Sequence, residues 1–296
     1  MEIYKLKLSF NSPLLTPLHA DIVFGHLCWV IAYREGAQAL EQFLRPFKEN
    51  KPPFTISDGL PIDLFPKPLT VEFLIENWEK SKEMKKSDFL LFEDFKKVIK
   101  GEKIEYASIP KNVKSSLIPH NTISRLTNTT LQEGGVYSLE EKFISELNIF
   151  IKSSSKEWID RLEELFFELS KSGFGRKKSI GKGHFTLTKI ELFDELEYLE
   201  NPNGFVTLSN FCPAKDDPAE GYYKTFVKYG KLGEEFTFSG NPFKKPLIMI
   251  KTGSVFKTDG PPREYYGRMV EKVSESKPEV VQYAYAFAIP IRWPDG

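Results

Sequence analysis

Cysteine is nearly absent: Cys28 and Cys212 are the two thiols in 296 residues. Two thiols cannot build a disulfide framework, and a structural zinc site would have to draw on the four histidines. No H-x-x-x-H pair and no cysteine pair at ligand spacing occurs, so no metal or other cofactor is expected. A G-x-S-x-G nucleophile elbow is missing too. No stretch reaches the roughly 18–20 consecutive apolar residues of a membrane span. The opening MEIYKLKLSF alternates where a secretory leader would carry an apolar core and a small-residue cleavage site. These absences point to a reducing, cytoplasmic setting without a membrane partner. Net charge is also lacking, because 41 Lys plus Arg face 41 Asp plus Glu. A zero total argues against a nucleic-acid partner only if the charges are evenly mixed.

The chain does have ample apolar material, 41% hydrophobic and 14% aromatic, enough to fold as one large or two medium domains. Tyr4, Leu6, Leu8 and Phe10 alternate with Lys5, Lys7 and Ser9 as a half-buried strand, which Asn11-Ser12-Pro13 breaks. The apolar run Ile22–Tyr33 predicts a buried helix with Asp21 as its N-cap. From about 45 to 70, six prolines exclude long regular elements. Helices are expected within 71–78 and from Ser87, as N-cap, to Gly101. Residues 106–131 read as polar and irregular. Strands are expected at 136–139 and 143–151, then an amphipathic helix on Trp158, Leu162, Leu165, Phe166 and Leu169, closed by Lys171 and Gly173. A strand from His184 to about Phe193 completes a βαββαβ order. After a linker at about 194–204, strands are expected at 205–211, 222–229, 236–238, 247–251 and 282–291, with a short helix near 268–275.

The charges are segregated. Gly173-Phe174-Gly175-Arg176-Lys177-Lys178-Ser179-Ile180-Gly181-Lys182-Gly183 joins four glycines to four cations without an acid. Such a loop offers an anion-binding concavity of backbone amides and long-range attraction for phosphates. It is not a nucleotide P-loop, since five residues separate Gly175 from Gly181 and Gly follows Lys182. The alternative is a solvated basic turn that relieves the preceding helix dipole. Lys111, Lys114 and Arg125 make 107–131 basic as well, whereas 157–168 and 191–200 are acidic. His19 and His26 flank the start of the first helix, where each is either a general base, a hydrogen-bonding group or a satisfied core histidine. Lys251-Thr252-Gly253-Ser254 is a second candidate phosphate turn or an ordinary strand-end turn.

Five segments, in order, carry a resemblance: SPLLTPLHADIVFGHLCWVI, PHNTISRLTNTT, GFGRKKSIGKGHF, KTGSVF and YAYAFAIPI. They resemble the RAMP superfamily of CRISPR proteins and, within it, the family of the fourth Csm subunit of type III-A effector complexes. The likeness runs over most of the chain. It implies an α+β fold of two ferredoxin-like (RRM-like) domains, residues 1–193 with an insertion at about 45–135, and residues 205–296. It implies a non-catalytic subunit that grips the 5′ handle of the guide RNA between the large Palm-domain subunit and the backbone RAMP subunit. Carried onto this sequence, it places His19, Asp21, Phe24, Gly25 and His26 along a groove at the first helix. Asn121, Ser124 and Arg125 would join them, with Gly173, Phe174, Gly175, Arg176, Lys177, Lys178, Gly181, Lys182 and Gly183. Lys251, Gly253 and Ser254 would complete the groove.

Two other readings stand beside it. One is a metal-independent repeat endoribonuclease using His26 or His19 with Tyr33 or a lysine. The other is a backbone-type subunit cutting target RNA through Asp21 and a metal ion. The apolar residues of segment 54–69 (Phe54, Ile56, Leu60, Ile62, Leu64 and Phe65) are expected to be buried in part only by a neighbouring subunit.

Overall fold

The computed structural model describes residues 1–75, 86–105, 114–131, 133–196, 199–238 and 240–293. Strand β1 (Glu2–Phe10) leads into helix α1 (Ala20–Glu35) and helix α2 (Ala37–Lys48), then short strands β2 (Phe54–Ile56) and β3 (Leu60–Pro61). Strand β4 (Leu64–Pro66) pairs with β5 (Phe89–Leu91), which runs into helix α3 (Phe92–Ile99). A hairpin of β6 (Lys114–Asn121) and β7 (Val136–Phe143) precedes β8 (Glu146–Ser153), helix α4 (Lys156–Ser172), β9 (Phe185–Leu187) and β10 (Glu191–Leu192). The first sheet is antiparallel throughout: β9 and β10 lie beside β1, β1 beside β8, and β8 beside β2 and β3.

Strand β8 is buried along almost its whole length because both sheet faces are covered. Ile149 and Ile151 join Leu6, Leu8, Leu27, Ile31, Leu162 and Phe166 beneath α1 and α4. Phe150, on the opposite face, packs with Phe65, Phe92 and Phe95 and with the second half of the chain. Phe54, Ile56, Leu60, Leu64 and Phe65 are therefore buried within this chain. The expected partner-dependent burial of segment 54–69 does not hold for them.

The second half forms a sheet in the order β12 (Gly221–Tyr222), β15 (Val255–Lys257), β11 (Gly204–Thr207), β17 (Gln282–Ile291) and β16 (Tyr265–Val270). The hairpin of β13 (Thr225–Lys228) and β14 (Leu247–Ile250) stands apart from it. Bulky and small residues alternate along β17 as the sequence predicts: Tyr283 and Tyr285 enter the first core, whereas Ala284, Ala286 and Ala288 face smaller clusters. Phe24 of α1 stacks on Tyr283 at 4.6 Å, which locks the two sheets together.

Several expectations need correction. Asp21 does not cap α1; His19 occupies that position and Asp21 lies inside the first turn. Ser87 starts a turn, its hydroxyl bonding Phe89, and the helix begins only at Phe92. The helix expected within 71–78 is a 3₁₀ turn over Leu69–Leu74, and its last residues lie outside the described ones. The expected strand at 236–238 is likewise a 3₁₀ turn, Glu234–Phe238, and the short helix near 268–275 is occupied in part by β16. No α-helix occurs among the described residues of 205–293, so a second βαββαβ unit is not seen there.

Candidate nucleic-acid interface

The N-terminus of α1 is where separate cationic elements meet. Its dipole places partial positive charge at His19 and Ala20. The His19 side chain makes no cap, and the buried carboxylate of Asp58 does so instead, Oδ1 accepting the Ala20 amide at 2.8 Å. Asp58 Oδ2 accepts from Asn210 Nδ2 at 2.9 Å, and Asn210 Oδ1 accepts the Thr252 amide at 3.1 Å. Two side chains thus tie the Lys251–Ser254 turn to the start of α1. Burial pushes the Asp58 carboxyl up to about 7. Burial, then the Lys228 cation, hold the half-buried His19 imidazole below its usual range, with Lys142 and Lys251 adding to the effect. Lysines from β7, β13 and the turn therefore all act on one histidine.

Of the residues assigned to the first helix, Asp21 is buried, accepts Gln282 Nε2 at 2.5 Å and is ion-paired with Lys228. It is a neutralised structural carboxylate, not a free groove acid. Phe24 is 2% exposed, packed among Phe43, Phe47, Phe54 and Tyr283 in the core, and so leaves the groove. Gly25 is half-buried, and a Cβ there would meet nothing within 4 Å, so the helix surface is open to close approach. His26 accepts the Gly175 amide on Nε2 at 3.2 Å while its ring lies 4.8 Å from that of Phe174. Burial, with the nearby Lys178 cation, lowers its pKa to about 4, which keeps the imidazole a neutral acceptor at neutral pH.

The Gly-rich loop follows the close of α4, with positive φ at Gly173, Gly175, Lys177, Gly181 and Gly183. Much of its backbone is already spent. Phe174 donates to Gly183 at 2.9 Å, Arg176 to Thr16 Oγ1 at 3.0 Å and Gly183 to Pro13 at 3.0 Å. The amides of Ile180, Gly181 and Lys182 turn back on Lys177 and Lys178. The expected continuous amide concavity thus contracts towards the tip at 177–179. Phe174 is 3% exposed and anchors the loop in the first core. The cations differ. Arg176 is exposed; Lys177 donates to the Tyr137 hydroxyl at 3.3 Å; Lys178 pairs with Glu234 at 2.6 Å; Lys182 pairs at 2.6 Å with Glu141, which is almost wholly buried.

Asn121, Ser124 and Arg125 sit on the β6–β7 arm. Asn121 Nδ2 donates to Thr130 Oγ1 at 3.2 Å, and the Ser124 amide donates to Thr129 at 2.9 Å, closing the far turn. The arm meets the Gly-rich loop along β7, at Tyr137 and Glu141, and no described contact brings Arg125 to the loop. In the second turn, Lys251 is exposed and lies 3.7 Å from Asp88. Gly253 has φ +82°, and a Cβ there would fall 2.6 Å from the Lys67 carbonyl. Ser254 is fully buried, donating to the Lys251 carbonyl at 2.6 Å and accepting the Lys224 amide at 3.3 Å. Ser254 therefore builds the turn from inside and presents nothing outward.

Sequence reasoning missed Thr16, Asp58, Glu141, Lys142, Lys228 and Glu234, which position or neutralise the expected residues. Thr16, Asp58 and Lys228 lie inside segments that the sequence singles out (12–31, 54–69 and 222–229), and Glu141 and Lys142 lie between two expected strands, but only the fold joins these residues and Glu234 to the site.

No family model matches the chain. A curated relative, the CRISPR system protein Csm4 of Methanocaldococcus jannaschii, is 27% identical over 185 residues, 56% of this chain. The match spans about half the length of that relative, 49%. Among solved structures, a chain of the Csm1–Csm4 cassette in complex with pppApA superposes with a TM-score of 0.63 and 20% identity, covering 100% of both chains. The chain is Csm4-like. A chain of the Csm3–Csm4 subcomplex of the type III-A CRISPR-Cas interference complex agrees as closely, with a TM-score of 0.62 and 20% identity over 99% of this chain and 100% of the other. These likenesses show the fold, a mixed α/β arrangement of antiparallel sheets with few helices. No helix among the described residues is long and apolar enough to cross a membrane.

Proposed function

We propose that this chain is a non-catalytic RNA-binding subunit of a type III-A Csm complex, working in the cytoplasm and holding the 5′ handle of the guide RNA. The observation that carries the reading is the convergence on the α1 N-terminus of the Gly-rich loop, the Lys251 turn and Lys142 of the hairpin. Such a surface suits phosphodiesters: exposed cations at Arg176 and Lys251 and open helix surface at Gly25. The likeness to chains solved with Csm1 and with Csm3 supports a place between the large Palm-domain subunit and the backbone RAMP subunit. The 4-1-3-2 order of the first sheet supports a ferredoxin-like unit over 1–193, but because β2 and β3 belong to that sheet its insertion falls between Pro61 and Glu146, not at the expected 45–135. Residues 205–296 then form the second domain.

His26 supports a scaffold in preference to a metal-independent nuclease, because its Nε2 already accepts the Gly175 amide. Salt-dependent anisotropy on guide RNA with its own handle, against a scrambled handle, tests the binding reading. Arg176→Ala with Lys177→Ala is expected to weaken binding and flatten the salt slope by roughly one unit or more. Equal affinity for both RNAs, or an unchanged slope in the variant, sinks it. Cleavage of repeat RNA in EDTA that vanishes with His26→Ala sinks the scaffold assignment.

A further inference from the structure

The four loop cations are not equivalent, and the difference lies in the carboxylates that meet them. Lys182 is held by Glu141, 2% exposed, so that pair pins the loop to the hairpin base. Lys178 is held instead by Glu234, with both side chains about a quarter exposed, 27% and 25%. Glu234 opens the Glu234–Phe238 turn with φ +48°, a left-handed conformation that is uncommon outside glycine. The turn is fastened on the outer face of α1. Phe236 meets Trp29 edge-on at 5.0 Å, Tyr33 donates to Glu235 at 3.0 Å, and a Cβ on Gly233 would fall 2.9 Å from Trp29 Nε1. A rigid mount thus delivers one carboxylate, at 2.6 Å, to a cation at the tip of the loop. The neighbouring Glu235 bonds Tyr33.

We infer that Glu234 is an intramolecular stand-in for an RNA phosphate, and that Lys178 marks a phosphate subsite which RNA fills by displacing this carboxylate. The inference rests on the RNA-binding reading of the same site and adds its regulation. In the free chain the pair lowers the attraction of the loop for any polyanion. A correctly seated handle presents its phosphate at Lys178 and takes over the cation, while loosely held RNA leaves the pair intact. Arg176 and Lys177 then make the first contacts, Lys178 the exchange, and Lys182 none.

The test is anisotropy of the full chain with a guide RNA carrying its own handle, from about 0.05 to 0.5 M salt. Exposed ion pairs are worth little individually, so Glu234→Gln is expected to tighten binding about two- to fivefold at low salt. The gain should shrink at high salt, where the pair is screened in the parent chain as well. Glu235→Gln makes the same change in net charge without touching Lys178 and is expected to give a smaller gain. In a Lys178→Ala background, Glu234→Gln is expected to give no more than the small gain of Glu235→Gln. Equal gains from Glu234→Gln and Glu235→Gln in the parent chain, no gain from Glu234→Gln, or the full Glu234→Gln gain surviving Lys178→Ala each overturn the inference. A parent chain that binds no handle RNA defeats the broader reading instead. Thermal midpoints of the variants within a few degrees of the parent establish that all are folded.

Discussion

His26 on α1 and Gly175 in the Gly-rich loop are joined by one hydrogen bond, the Gly175 amide donating to Nε2 at 3.2 Å. Two segments separated by 149 residues in the chain meet there. The bond decides how the site works, because it spends the lone pair that a general base would need. It also fixes the loop against α1. In the proposed RNA-binding role the histidine is a positioning residue, and the loop it positions would meet the RNA.

Gly175 itself has no room for a side chain. Its φ is +79°, and a Cβ would lie 2.7 Å from Cβ and Oγ1 of Thr16. Gly175→Ala is expected to lower stability by roughly 1–3 kcal/mol, since strain and a steric clash act together. Handle affinity should fall with it, because Thr16 also accepts the Arg176 amide. Urea unfolding and anisotropy on the same preparation check both. Gly181→Ala, with nothing within 4 Å of its Cβ but φ +87°, should cost less.

The state of His26 sets an acid-stability signature. Its imidazole is held at about 4, against an ordinary 6.5, so the unfolded chain takes up this proton first. Its contribution is whole above pH 6.5 and is lost as pH falls through 6.5 towards 4, about 3 kcal/mol in all. Asp58 acts with opposite sign: pushed up from 3.8 to about 7, it is protonated first in the folded chain. Its contribution therefore grows as pH falls from about 7 towards 3.8, and the two groups offset each other. His26→Gln keeps an acceptor for Gly175 and does not titrate. It is expected to gain stability relative to the parent between pH 6.5 and 4.5 in urea titrations. Parallel pH profiles would mean that the histidine is not held neutral.

The second turn separates structure from binding within four residues. Ser254→Ala removes a fully buried hydroxyl and leaves the Lys224 amide without its acceptor, an expected loss of about 1–3 kcal/mol. Its handle affinity, measured well below the melting range, should stay within about twofold of the parent. Lys251→Ala should do the reverse, leaving the midpoint unchanged and reducing the salt slope by about one. A Ser254→Ala variant that keeps its stability and loses affinity would return the hydroxyl to the interface.

Much of this architecture was legible in the sequence where one face is buried and the other wet. Helix α4 shows its stripe of Trp158, Leu162, Leu165 and Leu169, and β17 its alternation of aromatics with alanine. Part of β7 was expected as a strand at 136–139, but its partner β6 was not legible, because its residues are all exposed or half-exposed and leave no periodic apolar signal. Helix α2 was missed because Pro46 near its end drew it into the proline-rich stretch that follows. Within the site, glycines and cations that cluster in sequence were found. Their counter-charges were not: Lys228 lies on another strand, 207 positions after Asp21, and only the fold brings it there.

That last pair allows the sharpest test of what Asp21 does. Its side chain is 3% exposed and that of Lys228 15%, so both charges have left most of their water. Removing one partner of such a pair strands the other, which typically costs about 3–5 kcal/mol. Lys228→Met is therefore expected to destabilise the chain by an amount in that range. Adding Asp21→Asn removes the stranded charge and should restore most of the loss, since Gln282 can still donate to the remaining carbonyl oxygen. Asp21→Asn alone should cost less than Lys228→Met, because the longer lysine can turn its ammonium towards solvent. A double-mutant cycle in urea measures the coupling. Additive losses would show that the carboxylate does not depend on Lys228. A divalent-dependent cleavage of target RNA by the assembled complex that disappears with Asp21→Asn would make Asp21 a metal ligand after all.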